Sequence, residues 1–188
     1  MLKSPTLYEV WVLLKIIQQL TQWGLNPKEF VSDLEQNYIH PNTHEISGYR
    51  KLFHLPDRSF DLAIYYDYTF LETGYRPDFV IGFKNNETLE WSFHTLDVKY
   101  KNYSAMKSWR ENYLTDMERS AYRYLQELLR PQNMIKSATL VHLDKLATHW
   151  NARPANLIQG YGNHKLAHFM LSPSHSKNLL IYFKRLLH

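Results

Sequence analysis

The sequence predicts an α/β fold: a central mixed sheet of four to five strands flanked by helices, in the order helix, three strands, helix, two strands, helix (αβββαββα). Three observations predict it. Leu7 to Leu20 repeats apolar residues at helical spacing, and two β-branched and aromatic runs close around a polar turn between Phe79 and Tyr100. A second amphipathic stretch, Thr115 to Leu129, then separates those strands from two further apolar runs near residues 137–143 and 166–171. With 188 residues, 44% of them hydrophobic, the chain builds one core of ordinary size, so 1–188 reads as a single domain.

Taken in order, Ser4-Pro5 offers an N-cap and a proline at the first helical position, and Thr6-x-x-Glu9 offers a capping box one turn later. Leu7, Val10, Trp11, Leu14 and Ile17 form one apolar stripe, which Val12, Leu13, Ile16 and Leu20 widen, so this first helix is packed on most sides. Gly24 ends it, and Lys28 to Asn37 reads as a short helix. The Pro, Asn, His, Gly and Ser content of Tyr38 to Pro56 argues for a loop, where Tyr49, Arg50 and Lys51 are placed for nucleic-acid contacts. Ser59 to Phe70 is strand-like and carries Asp61 and Asp67. Lys101 to Arg110 interleaves Lys101, Lys107 and Arg110 with Tyr103 and Trp109, a composition suited to phosphates and flat bases. On the Thr115–Leu129 helix Met117, Ala121, Tyr124, Leu125 and Leu128 form the apolar face, Arg119, Tyr122 and Arg123 the other, and Pro131 stops it. Ser137 to Leu143 and Leu166 to Leu171 read as internal strands, and His175 to Leu187 as a terminal helix.

The absence of cysteine excludes disulfides, thiolate zinc sites and iron–sulfur clusters. The 22 basic residues against 18 acidic ones leave a charge of +4, a lean toward polyanions without a histone-like field. No apolar run is long enough to span a bilayer and no leader pattern opens the chain, so a cytoplasmic protein without a membrane partner is expected. Ten histidines invite a zinc reading. His164 and His168 stand four apart, but glycines precede them and a strand-like run overlaps them, so loop or surface histidines are the expectation.

The chemistry concentrates between Tyr75 and Tyr103. Asn85-Asn86-Glu87 supplies turn residues, and a hairpin centred near Glu87 and Thr88 places Asp78 opposite Asp97, because the two are equidistant from that centre. Asp97 and Lys99, two apart on one strand, project from the same face. Two carboxylates so close repel unless a divalent cation lies between them, and oxygen ligands point to Mg²⁺, with Mn²⁺ as a substitute. Asp61 and Asp67 are set aside as the first acid because neither has the hairpin relation to Asp97.

Pro77-Asp78, followed after a hairpin by Asp97-Val98-Lys99, resembles the signature of the PD-(D/E)XK nuclease superfamily. The resemblance implies a restriction-endonuclease-like core in which Asp78, Asp97 and the Val98 carbonyl bind the metal while Lys99 positions or deprotonates the attacking water. Leu7-Tyr8-Glu9-Val10-Trp11 is similar to the opening helix of the nuclease domain in McrC-type restriction subunits, which implies that Glu9 completes the metal site. Asp116-Met117 leading to Tyr122-Arg123 resembles the same pattern, with Ser120 standing where that family often has an aromatic or histidine. The likeness implies a Mg²⁺-dependent DNA endonuclease of restriction or phage defence, with Lys101, Lys107, Arg110, Arg119, Tyr122 and Arg123 lining the nucleic acid. An RNA-cleaving nuclease, or a non-catalytic binding or scaffold module on the same fold, is the alternative. Nucleases of that type work beside a nucleotide-driven subunit. Target choice is therefore expected from such a motor or recognition partner, from other domains of a larger polypeptide, or from a homodimer, with weak, salt-sensitive DNA binding by this chain alone.

Overall fold

The computed structural model describes residues 4–39, 46–55, 58–70, 74–117, 119, 123, 135–143 and 165–186. Six strands form one open mixed sheet: β1 (Tyr49–Phe53), β2 (Phe60–Tyr66), β3 (Phe79–Asn85), β4 (Trp91–Lys99), β5 (Ile135–His142) and β6 (Lys165–Met170), hydrogen-bonded in that order. The first four make an antiparallel meander, and β5 and β6 run parallel to β4. The described helices are α1 (Ser4–Thr21), α2 (Pro27–Asn37), α3 (Trp109–Asp116) and α4 (Lys177–Leu186). Among the described residues no helix is long and apolar enough to cross a membrane.

The sheet exceeds the expected four to five strands because β1 falls inside the stretch read as loop. Turn-forming residues on its amino side hide five residues that alternate, with Tyr49 and Phe53 buried and Arg50 and Leu52 exposed. Tyr49 is fully buried and Lys51 pairs with Glu29 at 3.2 Å, so of the three residues placed for nucleic acid only Arg50 faces solvent.

Three helices cover one face. Val12, Leu13, Ile16 and Leu20 of α1, Phe30 and Leu34 of α2, and Leu179, Tyr182 and Phe183 of α4 pack on Ile64, Phe79, Ile81, Leu96, Val98 and Phe169. The buried stripe of α1 therefore runs through Tyr8, Val12, Leu13, Ile16 and Ile17, while Leu7 and Leu14 remain 51% and 55% exposed. On the opposite face Tyr103 and Met117 pack on Ala138 and Leu140, with Phe70, Tyr75, Trp109 and Tyr113 around them. The described helix α3 starts at Trp109 and ends at Asp116, so it overlaps the helix expected over Thr115–Leu129 only at Thr115 and Asp116. Met117, Arg119 and Arg123 follow it, and the remainder of that stretch, Tyr122 and Ser120 included, lies outside the described residues.

The β3–β4 turn is built by Asn85, whose Oδ1 accepts the N–H groups of Glu87 (2.8 Å) and Thr88 (3.0 Å). Register is then locked by a close approach. Gly82 lies opposite Phe93, and a Cβ there would meet the Phe93 ring at 2.5 Å, so the ring covers the glycine.

Candidate active site

The pairs Phe79↔Leu96 and Val80↔Thr95 carry one register along the β3–β4 ladder, and its next step places Asp78 opposite Asp97. Leu96 and Val98 enter the large core, so alternation turns Asp97 and Lys99 to the other face. Asp97 is only 3% exposed, and Lys99 Nζ stands 2.5 Å from its Oδ2. That oxygen receives no aligned hydrogen bond, so Lys99 acts there as a close counter-charge rather than as a well-directed donor.

Pro77 explains the other half of the pattern. One further step of the register sets it opposite Val98, where a strand residue would normally exchange both backbone hydrogen bonds with its partner. The Val98 N–H turns instead to Asp78 Oδ2, at 2.5 Å. Proline has no N–H to return, so β3 offers the Val98 carbonyl, on the same side of the strand, no ladder donor. A carboxylate and an unmatched carbonyl thus adjoin the Asp97 side chain at the end of the sheet.

Glu9 comes from α1. It precedes Val12, Leu13 and Ile16 by three, four and seven positions, on the face that enters the core. Because α1 begins at Ser4, Glu9 lies in the second turn and the first turn holds no acid, which removes the capping-box role. Tyr8 fixes the helix by donating its hydroxyl to the Leu171 carbonyl at 2.7 Å and by packing on Tyr100 just past β4.

Asp67 joins the cluster through the strand on the other side. Tyr66↔Phe79 is the last pair of β2 and β3, and the next step sets Asp67 beside Asp78, whose carbonyl accepts the Asp67 N–H at 2.9 Å. Setting Asp67 aside for want of a hairpin relation to Asp97 overlooked this second ladder. Asp61 does lie at the far end of β2, opposite Lys84, and contacts His54 at 2.7 Å. Arg76 clasps both carboxylate oxygens of Asp67 through Nε and Nη2.

The electrostatics are those of a site with surplus negative charge. Glu9, Asp67, Asp78 and Asp97 face two cations, Arg76 and Lys99, which leaves two negative charges uncompensated. Burial, reinforced by the charge of Asp97, pushes the Asp78 carboxyl well above the ordinary range despite the opposing pull of Lys99 and the Val98 N–H. Burial and then Asp67 raise Glu9. Burial works against the charge on Lys99, but Asp97 and Asp78 together hold its ammonium above the usual lysine value. Among the described residues no three His, Cys, Asp or Glu side chains converge as a ready ligand set. The donor chemistry nonetheless fits a hard divalent cation, with carboxylate oxygens from Asp78 and Asp97, a carbonyl without a ladder donor, and two charges to neutralise.

The residues expected along nucleic acid are scattered in role. Lys107, Arg110 and Arg119 are exposed, Arg110 stacking on Trp109 at 5.3 Å and Arg123 lying over the Tyr75 ring at 5.2 Å. Lys101 is bound to Asp116 Oδ2 at 2.6 Å, the same oxygen that accepts the Tyr103 hydroxyl at 2.7 Å. Nothing in the sequence marked the neighbouring histidine pair. His142, beside Lys99 in the β4–β5 register, is fully buried and its Nε2 lies 3.1 Å from Nδ1 of His168 on β6. His168 is therefore an interior strand residue, and His164 lies outside the described residues.

No family model matches this chain, and no curated protein or solved structure is significantly similar to it.

Proposed function

We propose that this chain is a metal-dependent phosphodiesterase of the PD-(D/E)XK type, a DNA endonuclease with a restriction-endonuclease-like core. The observation that carries the reading is the placement of Asp78 opposite Asp97, with Lys99 against Asp97 and the Val98 carbonyl lacking a ladder donor beside them. The antiparallel meander running into parallel β5, with helices on both faces, supports the fold assignment.

Asp78, Asp97 and the Val98 carbonyl would hold Mg²⁺ or Mn²⁺, with Glu9 reaching it directly or through water. Such an ion supplies a lowered water pKa and a neutralising charge for the phosphoryl oxygens. The protein's own part is orientation. Lys99 is held charged by the two aspartates, so its ammonium fixes the attacking water through hydrogen bonds at its oxygen and counters the charge that builds on the phosphate. Glu9, raised by burial and by Asp67, is a stronger base than an exposed carboxylate and is suited to accept a proton from that water. A role in restriction or phage defence beside a motor or recognition partner belongs to the same reading.

The test is cleavage of supercoiled plasmid, linear duplex, single-stranded DNA and RNA in Mg²⁺, Mn²⁺, Ca²⁺ or EDTA. Cleavage of DNA in Mg²⁺ and Mn²⁺ but not in EDTA is expected. Asp97→Ala and Lys99→Ala should each lose at least about a hundredfold in rate, several kcal/mol of transition-state stabilisation. Both variants cleaving within a few-fold of the parent would refute the assignment, and DNA binding without cleavage would return the chain to a binding module.

A further inference from the structure

A cavity of about 650 Å³ opens at the same end of the sheet, lined by Ser47, Gly48, Arg50, Asp67, Tyr68, Thr69 and Arg76. It lies across the β1, β2 and β3 ends, next to the acids rather than among them, because Asp67 belongs to both. Its volume is that of a small-molecule or single-nucleotide site. Its lining carries one cation, Arg50, beyond the Arg76–Asp67 pair. Asp67 is already taken up by Arg76, a pairing that fixes that guanidinium at the wall. Arg50 is exposed, and among the described residues no carboxylate pairs with it. It is held instead by Tyr68, donating from Nη1 to the phenol oxygen at 3.2 Å with its guanidinium 5.6 Å from the ring centroid. A guanidinium oriented by an aromatic ring, rather than neutralised by an acid, is ready for an anion.

We infer that this cavity is a phosphate-binding subsite, in which Arg50, with the wall formed by Arg76, Tyr68 and Thr69, grips a backbone phosphate of the DNA strand close to the scissile one. The inference rests on the nuclease reading for its substrate. β1 stands two strands from β3, about 10 Å, so Arg50 lies beside the acid cluster, within reach of the same strand of DNA. The surplus negative charge of the acid cluster repels DNA, and the cavity supplies a nearby positive anchor that holds the strand against that repulsion. Tyr68 meets the rings of Tyr65 and Phe70 edge to face, so the anchor stands on a packed aromatic base.

The experiment measures binding of a short fluorescein-labelled DNA single strand and its duplex by anisotropy in EDTA across a salt series, with cleavage in Mg²⁺ followed separately. Arg50→Ala should weaken binding about tenfold and flatten the salt slope by roughly one phosphate contact. Arg50→Lys should recover part of the affinity and all of the slope. Arg58→Ala, which removes an equal charge at the opposite end of β2, should change neither. Unchanged affinity in Arg50→Ala, or equal losses in Arg50→Ala and Arg58→Ala, would overturn the subsite. So would inorganic phosphate raising the melting temperature through Arg50 while DNA affinity stays unchanged, since the ligand would then be the free ion. Binding that depends on Arg50 in a protein that cleaves nothing would remove the nuclease reading and leave the subsite standing.

Discussion

Two carboxylate centres lie near the carboxyl end of β4, and they are resolved in opposite ways. Asp116 receives Lys101 and the Tyr103 hydroxyl on one oxygen, under a cover of Tyr113 and Met117. One acid meets one base, and the cluster ties α3 to the chain that leaves β4. At Asp78 and Asp97 four carboxylates share two cations, and burial lifts Asp78 well above its ordinary range. Stability alone favours the first arrangement, so the second carries a folding cost that only a charged ligand removes.

Paired variants bring out the contrast most strongly. Asp78→Asn should lose at least about a hundredfold in cleavage rate, whereas Asp116→Asn should stay within a few-fold. Thermal melts should show the reverse. Asp116→Asn loses roughly 1–3 kcal/mol, because the Lys101 ammonium is left against a neutral amide, while Asp78→Asn holds or gains stability in metal-free buffer. Equal losses of stability in the two variants would erase the distinction.

A smaller effect appears in pH. Asp78 binds its proton more tightly in the folded chain than in the unfolded one, so metal-free stability falls as pH rises from the ordinary carboxylate value through the raised one. Asp78→Asn should lack that descent. Lys99 adds stability that is complete below its ordinary value of 10.5 and is lost only above it. The upward shift in melting temperature produced by Mg²⁺ should grow across the Asp78 range, as the ion replaces a proton there. A Mg²⁺ shift independent of pH, or identical in Asp78→Asn, would dissociate the cation from this carboxyl. The smallest structural effect belongs to Glu9→Gln. With α1 starting at Ser4 no cap is lost, so the melting temperature should move by less than the approximately 1 kcal/mol of a cap, while turnover falls at least about tenfold. A lower melting temperature with intact turnover would make Glu9 a structural acid.

The central hairpin was legible because antiparallel pairing conserves the sum of partner positions, so one well-marked turn at Asn85 fixed the meeting of Asp78 and Asp97. Glu9 was read as a site acid from its place on a mostly buried first helix and from that helix's resemblance, against a capping box that the start of α1 at Ser4 removes. Asp67 was missed because its relation to Asp78 runs through β2, and no short turn marks that ladder. β1 was hidden by the turn-forming residues before it. The His142–His168 contact joins parallel strands 26 residues apart, and parallel register leaves no local signal in the chain.

The hydroxyl of Tyr8 reaches Leu171 across 163 positions of sequence, and this contact sets when the first helix takes its final seat. Glu9 rides on a helix whose seat is built in part by the end of β6 and by α4. Closing so long a loop comes late in folding. A nascent chain can complete the β3–β4 hairpin, with Asp78, Asp97 and Lys99 in place, while the Leu171 end of the seat for α1 is still missing. The fourth acid, Glu9, is fixed only after synthesis has passed Leu171, so a half-made copy carries an incomplete acid cluster.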